Sequence, residues 1–185
     1  ETALRARINL LAAAEAAEDP VAIRRAVARY GAALEPALRD FYRGNAARLE
    51  ADYPTALRWL EACTVADPGM AAGWARLGEV NFLAEAYPAA VAAYRRLVEL
   101  APDAANWRDL GVAQERAGDP DAALASWERA TASDPREVLA YVYAARLHVG
   151  ADRRDAALAA LRAALARDPK HPAARRMLLQ LRGGG

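Results

Sequence analysis

Few residues of this 185-residue chain carry side chains that could perform chemistry. Cys63 is the single cysteine, and His148 and His171 are the two histidines. A thiol beside an imidazole could act as a nucleophile, and clustered cysteines and histidines could bind a metal ion. One cysteine excludes an internal disulfide and a cysteine-based zinc site, and two histidines leave too few ligands for a histidine site. We therefore predict no metal centre.

The sequence also lacks the short motifs of common catalytic sites. It contains no Gly-rich phosphate loop, no H-E-x-x-H and no G-x-S-x-G. Its two serines, Ser126 and Ser133, lie far from both histidines in the internal repeat of the chain. Cys63 is predicted to be a buried structural thiol and His148 a packing residue, with a reactive thiol and a pH switch or ligand as the alternatives. His171 is expected to be exposed. We predict a chain that is not an enzyme and that binds no cofactor.

Charge and composition argue against a nucleic-acid-binding protein and a membrane-spanning protein. The chain has 25 basic and 24 acidic side chains and a formal net charge of +1, which gives no general reason to expect nucleic acid or an anionic membrane as a partner. No apolar run approaches the roughly 18 residues of a membrane-spanning helix. Alanine, the strongest helix former, occurs 51 times and favours an all-helical chain.

The first residue of the chain leaves its processing and its location open. The chain begins at Glu1 and shows no apolar signal segment. A cytoplasmic location is the favoured expectation. The alternatives are an exported, processed chain and a piece excised from a longer protein.

The chain repeats itself with a period of about 34 residues. Two W-x2-L-G motifs, at 74–78 and 107–111, lie 33 residues apart. Each is followed by an A-x3-aromatic motif, at 90–94 and 123–127. Four prolines recur at spacings of 34, 33 and 34 residues: Pro68, Pro102, Pro135 and Pro169.

Each repeat contains two amphipathic segments of about 14 residues, which are too short to be stable helices alone in water. In one repeat the segments are 72–84 and 89–100, with a turn at 85–88 between them. Gly78 and Ala90 are expected where two antiparallel helices come close, because a larger side chain would overpack the pair. Trp74 is expected to be buried between the helices.

The W-x2-L-G, A-x3-aromatic and proline pattern resembles the tetratricopeptide repeat family. The resemblance covers nearly the whole chain and implies an all-α fold, a right-handed α-α superhelix or solenoid of antiparallel helix pairs, with about 11 helices. We predict a single domain over 1–185 that consists of a degenerate helix pair, four repeats and a capping helix: 2–36, 37–70, 71–103, 104–137, 138–171 and 172–182. Leu10 and Leu11 are expected among the apolar positions of the degenerate pair, and a flexible glycine tail is expected at 183–185.

The resemblance also implies a function without chemistry. In this family the first helices of successive repeats line a concave groove that binds peptides or partner helices. Aromatic side chains there could anchor a ligand, and arginines could capture carboxylates. The groove residues implied by the register are Phe41, Asn45, Arg48, Arg76, Glu79, Phe82, Arg108, Val112, Glu115, Val142, Tyr143 and Arg146. We predict a protein–protein interaction scaffold with a peptide or protein ligand, and a merely solvated face is the alternative.

One subtype of the family clamps the C-terminal carboxylate of chaperones with lysine, asparagine and arginine side chains. Asn45 matches one asparagine of that clamp, but Phe41 replaces the preceding lysine, and Ala105 and Asp109 break the rest of the pattern. A chaperone-tail clamp is therefore disfavoured. Capture of an acidic peptide by a different set of arginines stays as a hypothesis.

Charge is unevenly distributed along the chain. Residues 150–185 carry eight basic and three acidic groups, whereas 1–149 carry 17 basic and 21 acidic groups. The simplest interpretation is a solvated capping helix, and the alternatives are an acidic partner or head-to-tail packing of two copies. Two rival functions stay open: a structural module that forms homo-oligomers through its end helices, and a regulatory module of a larger protein, which the start at Glu1 would allow.

Overall fold

The computed structural model describes residues 2–183, which form eleven α-helices and no β-strand. A short 3-10 turn, Gly31–Ala33, follows the second helix. Of the expected glycine tail, Gly183 ends the last helix, and residues 184 and 185 lie outside the described part. The all-helical prediction is confirmed.

The helices belong to two compact units, Glu1–Leu100 and Ala101–Gly185. The first unit contains α1 (Thr2–Ala16), α2 (Pro20–Tyr30), α3 (Pro36–Leu49), α4 (Tyr53–Ala66), α5 (Ala71–Leu83) and α6 (Tyr87–Leu100). The second contains α7 (Ala104–Arg116), α8 (Pro120–Ser133), α9 (Val138–Gly150), α10 (Arg154–Arg167) and α11 (Pro172–Gly183). The most extensive packing joins α3 with α4, α5 with α6, α7 with α8 and α9 with α10. Because only a short turn connects the members of each pair, they run antiparallel.

Local signals in the sequence start several of these helices. The carboxylates of Asp19, Asp52, Asp103 and Asp119 each accept a hydrogen bond, at 2.8–3.2 Å, from the backbone N–H three residues on. These bonds satisfy donors that have no partner within the helix. The Nδ1 atom of His171 accepts a longer bond, 3.4 Å, in the same position at α11. His171 is half-buried, which corrects the expectation that it is exposed.

The turn within each helix pair has a recurring backbone conformation. One residue in each turn has a positive φ, between 51° and 86°, and these residues follow one another at 33 or 34 positions: Glu18, Ala51, Glu85, Gly118 and Asp152. The turn before α6 is shorter than predicted, because Pro88 lies in the first turn of that helix. A proline is tolerated there because its missing N–H would have no helical acceptor.

A small residue on the first helix of a pair lies against a large side chain on the second. A Cβ added to Gly78 would lie 2.7 Å from the Tyr94 ring, and one added to Gly111 would lie 2.4 Å from Nε1 of Trp127. These glycines allow the helices to approach closely. The alanines at the corresponding contacts of the second helices are fully buried: Ala56, Ala90, Ala123 and Ala157.

The burial of two apolar side chains differs from the sequence prediction. Trp74 is half-buried, and its indole N–H donates to the carbonyl oxygen of Pro68 at 2.9 Å, because the residue lies beside the preceding loop. The fully buried tryptophan is Trp127, which is 1% exposed. In α1, Leu11 is buried but Leu10 points away from the core and is exposed.

Candidate ligand-binding faces

The twelve residues predicted to contact a ligand divide equally between the two units. Phe41 and Asn45 on α3 and Val142 on α9 are buried. Phe41 belongs to a core cluster that contains Leu11 of α1, and Val142 belongs to one that contains Ala174 of α11, so neighbouring helices cover them. These three residues support the surface and do not form it, which corrects the expectation for them. The other nine are half-buried or exposed: Arg48, Arg76, Glu79, Phe82, Arg108, Val112, Glu115, Tyr143 and Arg146.

In the first unit, charged side chains of α1, α3 and α5 form one continuous network. Glu79 accepts from two arginines, from Arg48 Nη1 to Oε1 at 3.0 Å and from Arg76 Nη1 to Oε2 at 2.8 Å. Arg76 also donates to Glu15 Oε1 at 3.3 Å, which links α5 to α1. Two positive and two negative side chains therefore neutralise one another. We call the surface formed by Glu15, Arg48, Arg76, Glu79, Phe82 and Leu83 the α1–α3–α5 face.

Asn45 lies beneath this network. Its Oδ1 accepts from Arg48 Nε at 2.9 Å, while its Nδ2 group is buried without a hydrogen-bond partner among the described residues. The amide orients the Arg48 guanidinium toward Glu79. Asn45 is therefore not accessible to a ligand.

In the second unit, α7 and α9 are joined by different ion pairs. Near the start of α7, Arg108 donates to Asp109 Oδ1 at 2.8 Å and to Glu137 Oε1 at 3.3 Å. Toward the ends of the same two helices, Arg146 pairs with Glu115. Burial raises the pKa of Asp109 above its ordinary value, although Arg108 opposes the shift. We call this surface, with Val112, Leu139, Tyr143 and Val149, the α7–α9 face.

All four predicted arginines are thus engaged with carboxylates of the chain itself. A ligand carboxylate would compete with these internal partners, and where it displaced one it would gain only the difference between two similar interactions. Sequence reasoning included Glu79 and Glu115 but missed Glu15 and Glu137, which lie outside the expected groove positions. Arg48 and Glu79, like Glu115 and Arg146, are 31 residues apart, whereas Glu15 and Glu137 lie 61 and 29 residues from their arginines and follow no common spacing.

Apolar side chains on the same faces remain accessible. Phe82 is half-buried, with its ring edge-to-face against Tyr87 at a centroid distance of 5.4 Å. Leu83, which follows it on α5, is 45% exposed. On α9, Leu139 and Val149 are exposed. These side chains offer apolar contacts beside the internally paired charges.

Two further half-buried residues of the α7–α9 face, Tyr143 and Val112, pack toward the interior of the second unit. The Tyr143 ring lies 5.7 Å from the Trp127 ring, and Val112 packs against the same cluster. The Arg146 guanidinium lies 5.5 Å from the centre of the Tyr143 ring. Core packing therefore holds this part of the face in place.

The surroundings of Cys63 favour a structural thiol over a reactive one. Cys63 is fully buried, and burial, reinforced by Asp40 and Asp67, raises the pKa of its thiol to about 11, so it stays protonated at neutral pH. Among residues 2–183, no cluster of three or more His, Cys, Asp or Glu side chains could hold a metal ion.

Within the same residues, no helix has the length and apolar character needed to span a bilayer.

Comparison with solved structures reveals proteins of similar fold. A MamA crystal structure is 24% identical and covers 80% of this chain and 88% of its own, with a TM-score of 0.73. MamA 41-end from Desulfovibrio magneticus RS-1 is 18% identical over 91% of this chain and 96% of its own, with a TM-score of 0.78. YrrB, described as a TPR protein with an unusual peptide-binding site, is 18% identical over 88% of this chain and 82% of its own, with a TM-score of 0.69. Identities this low establish similarity of fold.

Sequence comparison supplies the family. No curated protein matches the chain. Two models described as tetratricopeptide repeats match residues 43–105 and 116–181, which together make up more than half of the chain. These matches coincide with the repeated motifs and the paired helices, and the chain belongs to the tetratricopeptide repeat family.

Proposed function

We propose that this chain is a protein-interaction scaffold that binds a peptide or a partner helix on its α1–α3–α5 and α7–α9 faces. The observation that carries this proposal is the presence of accessible apolar side chains on both faces, above all Phe82 and Leu83. Family membership and the fold shared with the peptide-binding protein YrrB support it. Binding would be passive, on a preformed surface.

The physical basis of such binding is burial of apolar area at anchor residues. Aromatic side chains that are already partly held by their neighbours lose little conformational entropy on binding, which makes them frequent hot spots. Phe82 is held in this way by Tyr87. Tyr143, held by Trp127, is its counterpart in the second unit.

Capture of partners from a lysate of the source organism, with identification by mass spectrometry, tests the proposal. We expect Phe82→Ala combined with Arg146→Glu to abolish capture while helicity changes little, because Phe82 is only half-buried and the Arg146 side chain is 53% exposed, so that loss of its pair with Glu115 costs little stability. Since the two residues lie in different units, each single variant reports on its own face. Val65→Ala with Arg95→Glu, on exposed positions of α4 and α6, is the matched control. Undiminished capture by the Phe82 and Arg146 variant would contradict binding on these faces.

Self-association through the end helices is a second candidate function. Leu179 on α11 is 69% exposed, and Leu4 and Leu10 on α1 are also exposed. Such side chains could pack against another copy. Light scattering over a range of concentrations decides between the two functions, because the mass of a self-assembling protein grows with concentration and that of a monomeric scaffold stays constant.

A further inference from the structure

Glu79 occupies the position in which a ligand carboxylate would meet two arginines. Its two oxygens bind guanidinium groups from two helices, Arg48 of α3 and Arg76 of α5. The Arg48 side chain is only 14% exposed. Ion pairs shielded from solvent in this way are screened less by salt than exposed ones. The α1–α3–α5 face thus already contains an anion bound by two cationic groups.

We propose that Glu79 is the specificity-determining residue of the α1–α3–α5 face. By occupying Arg48 and Arg76, it excludes acidic segments and restricts the face to uncharged, apolar segments of partner proteins. This inference rests on the proposed function and adds the chemical class of the partner.

An acidic segment of a partner would gain little binding free energy on this surface. Its carboxylate competes with Glu79 for Arg48 and Arg76, and displacement of Glu79 from either arginine leaves this partly buried carboxylate with one counter-charge instead of two. Glu15, bound to the same Arg76, adds a second negative charge nearby. A basic segment meets the two arginines as like charges and finds both carboxylates already paired.

An uncharged apolar segment breaks none of these pairs. Phe82 and Leu83 follow Glu79 by three and four residues on α5, so they lie on the same side of the helix. A partner's apolar side chains can cover them while the ion pairs stay intact at the edge of the contact. Binding of this kind depends on buried apolar area and only weakly on ionic strength.

Selection from a random peptide library displayed on phage tests the proposal with the whole chain. The baits are the wild-type protein, Glu79→Gln and the matched control Glu99→Gln. Glu99 pairs with Arg96 on the exposed side of α6, so its replacement changes the net charge equally but away from the face. Circular dichroism checks that each variant is folded.

We expect the wild type and Glu99→Gln to enrich apolar peptides with a net charge near zero. Glu79→Gln should instead enrich peptides containing Asp or Glu, and a selected acidic peptide should bind it about tenfold more tightly than the wild type, a difference of roughly 1.4 kcal/mol. Raising NaCl from about 0.05 M to about 0.5 M should weaken that binding and leave wild-type binding to apolar peptides nearly unchanged. Adding Arg48→Gln to Glu79→Gln should remove the acidic preference.

Two results would overturn the inference, and they are distinguishable. Equal selection of acidic peptides by the wild type and Glu79→Gln would remove the role of Glu79 but leave the proposed function intact. Absence of enrichment by the wild type over a Phe82→Ala bait would overturn the proposed function of this face as well. The net charge of the peptides selected by the wild type, and the salt dependence of their binding, test the inference even where Glu79→Gln does not fold.

Discussion

At the scale of single residues, Gly111 sets the distance between α7 and α8. The Trp127 ring beside it is buried, and its N–H donates to the carbonyl oxygen of Arg108 at 3.1 Å, so the ring cannot move aside. We expect Gly111→Ala to lower the free energy of unfolding by about 1–3 kcal/mol because the added methyl group overpacks this contact. Urea unfolding followed by circular dichroism measures the change. Gly150→Ala, whose added Cβ meets nothing within 4 Å, is the control, and an equal loss in both variants would contradict the packing explanation.

The lowered pKa of His148 predicts that the stability of the fold depends on pH. Burial and the positive charge of Arg153 lower its pKa below the ordinary 6.5, against a weaker opposing effect of Glu128. The unfolded chain therefore binds a proton more readily than the folded one, and the contribution of His148 to stability is complete above pH 6.5 and is lost as the pH falls through that value toward the lowered pKa. We expect Tm to fall between about pH 8 and about pH 5, and to fall less in His148→Gln. Identical pH profiles for the two proteins would show that His148 does not contribute.

Some contacts of single side chains could be predicted from the sequence, and others could not. Gly78 and Gly111 could be placed at helix contacts because a repeated small residue has a direct steric meaning. The pairing of Arg48 with Glu79 could not, because it depends on the rotamers of long side chains and on the placement of a neighbouring helix. The burial of Asn45 was missed for a similar reason: helical periodicity gives the side of the helix but not which neighbouring helices cover it.

At the scale of elements, the recurring positive φ of the turns makes a separate prediction. Gly118 adopts φ 86°, a region that costs an L-residue roughly 1 kcal/mol. We expect Gly118→Ala to lower the free energy of unfolding by about 1 kcal/mol and Gly118→Asn to lower it less, since asparagine tolerates this conformation. Thermal unfolding compares the two variants. A smaller loss for alanine than for asparagine would contradict a conformational origin.

The positions of the helices were predicted closely from the sequence. The segment 72–84 corresponds to the observed α5, and 89–100 to α6, within two residues at each end. Apolar periodicity and the spacing of the prolines carry that information locally. Pro88 was assigned to the turn because proline both starts and interrupts helices. Glu18, by contrast, shares the turn conformation of the repeats although the side-chain pattern around it is degenerate.

At the scale of the whole molecule, each unit has apolar clusters of its own. Leu11, Phe41 and Leu60 are buried together in the first unit, and Trp127 and Leu161 are buried in clusters of the second. We expect residues 1–100, produced alone, to show a helical circular dichroism spectrum and cooperative unfolding. A fragment of residues 1–84, which leaves α5 without α6, should have a lower Tm. A disordered spectrum for residues 1–100 would show that the first unit needs the rest of the chain.

The ion pair between Arg48 and Glu79 has a consequence for how such a chain can evolve. At the position 33 residues after Glu79, the next repeat has Val112. A chain in which residues 104–137 were copied in place of 71–103 would retain the contact between helices, with Gly111 and Trp127 in the places of Gly78 and Tyr94, but Arg48 would face a valine. The repeats are therefore interchangeable in their packing and not in their charges. Duplication or shuffling of repeats would preserve the architecture at once, whereas electrostatic compatibility between neighbours would require further substitutions.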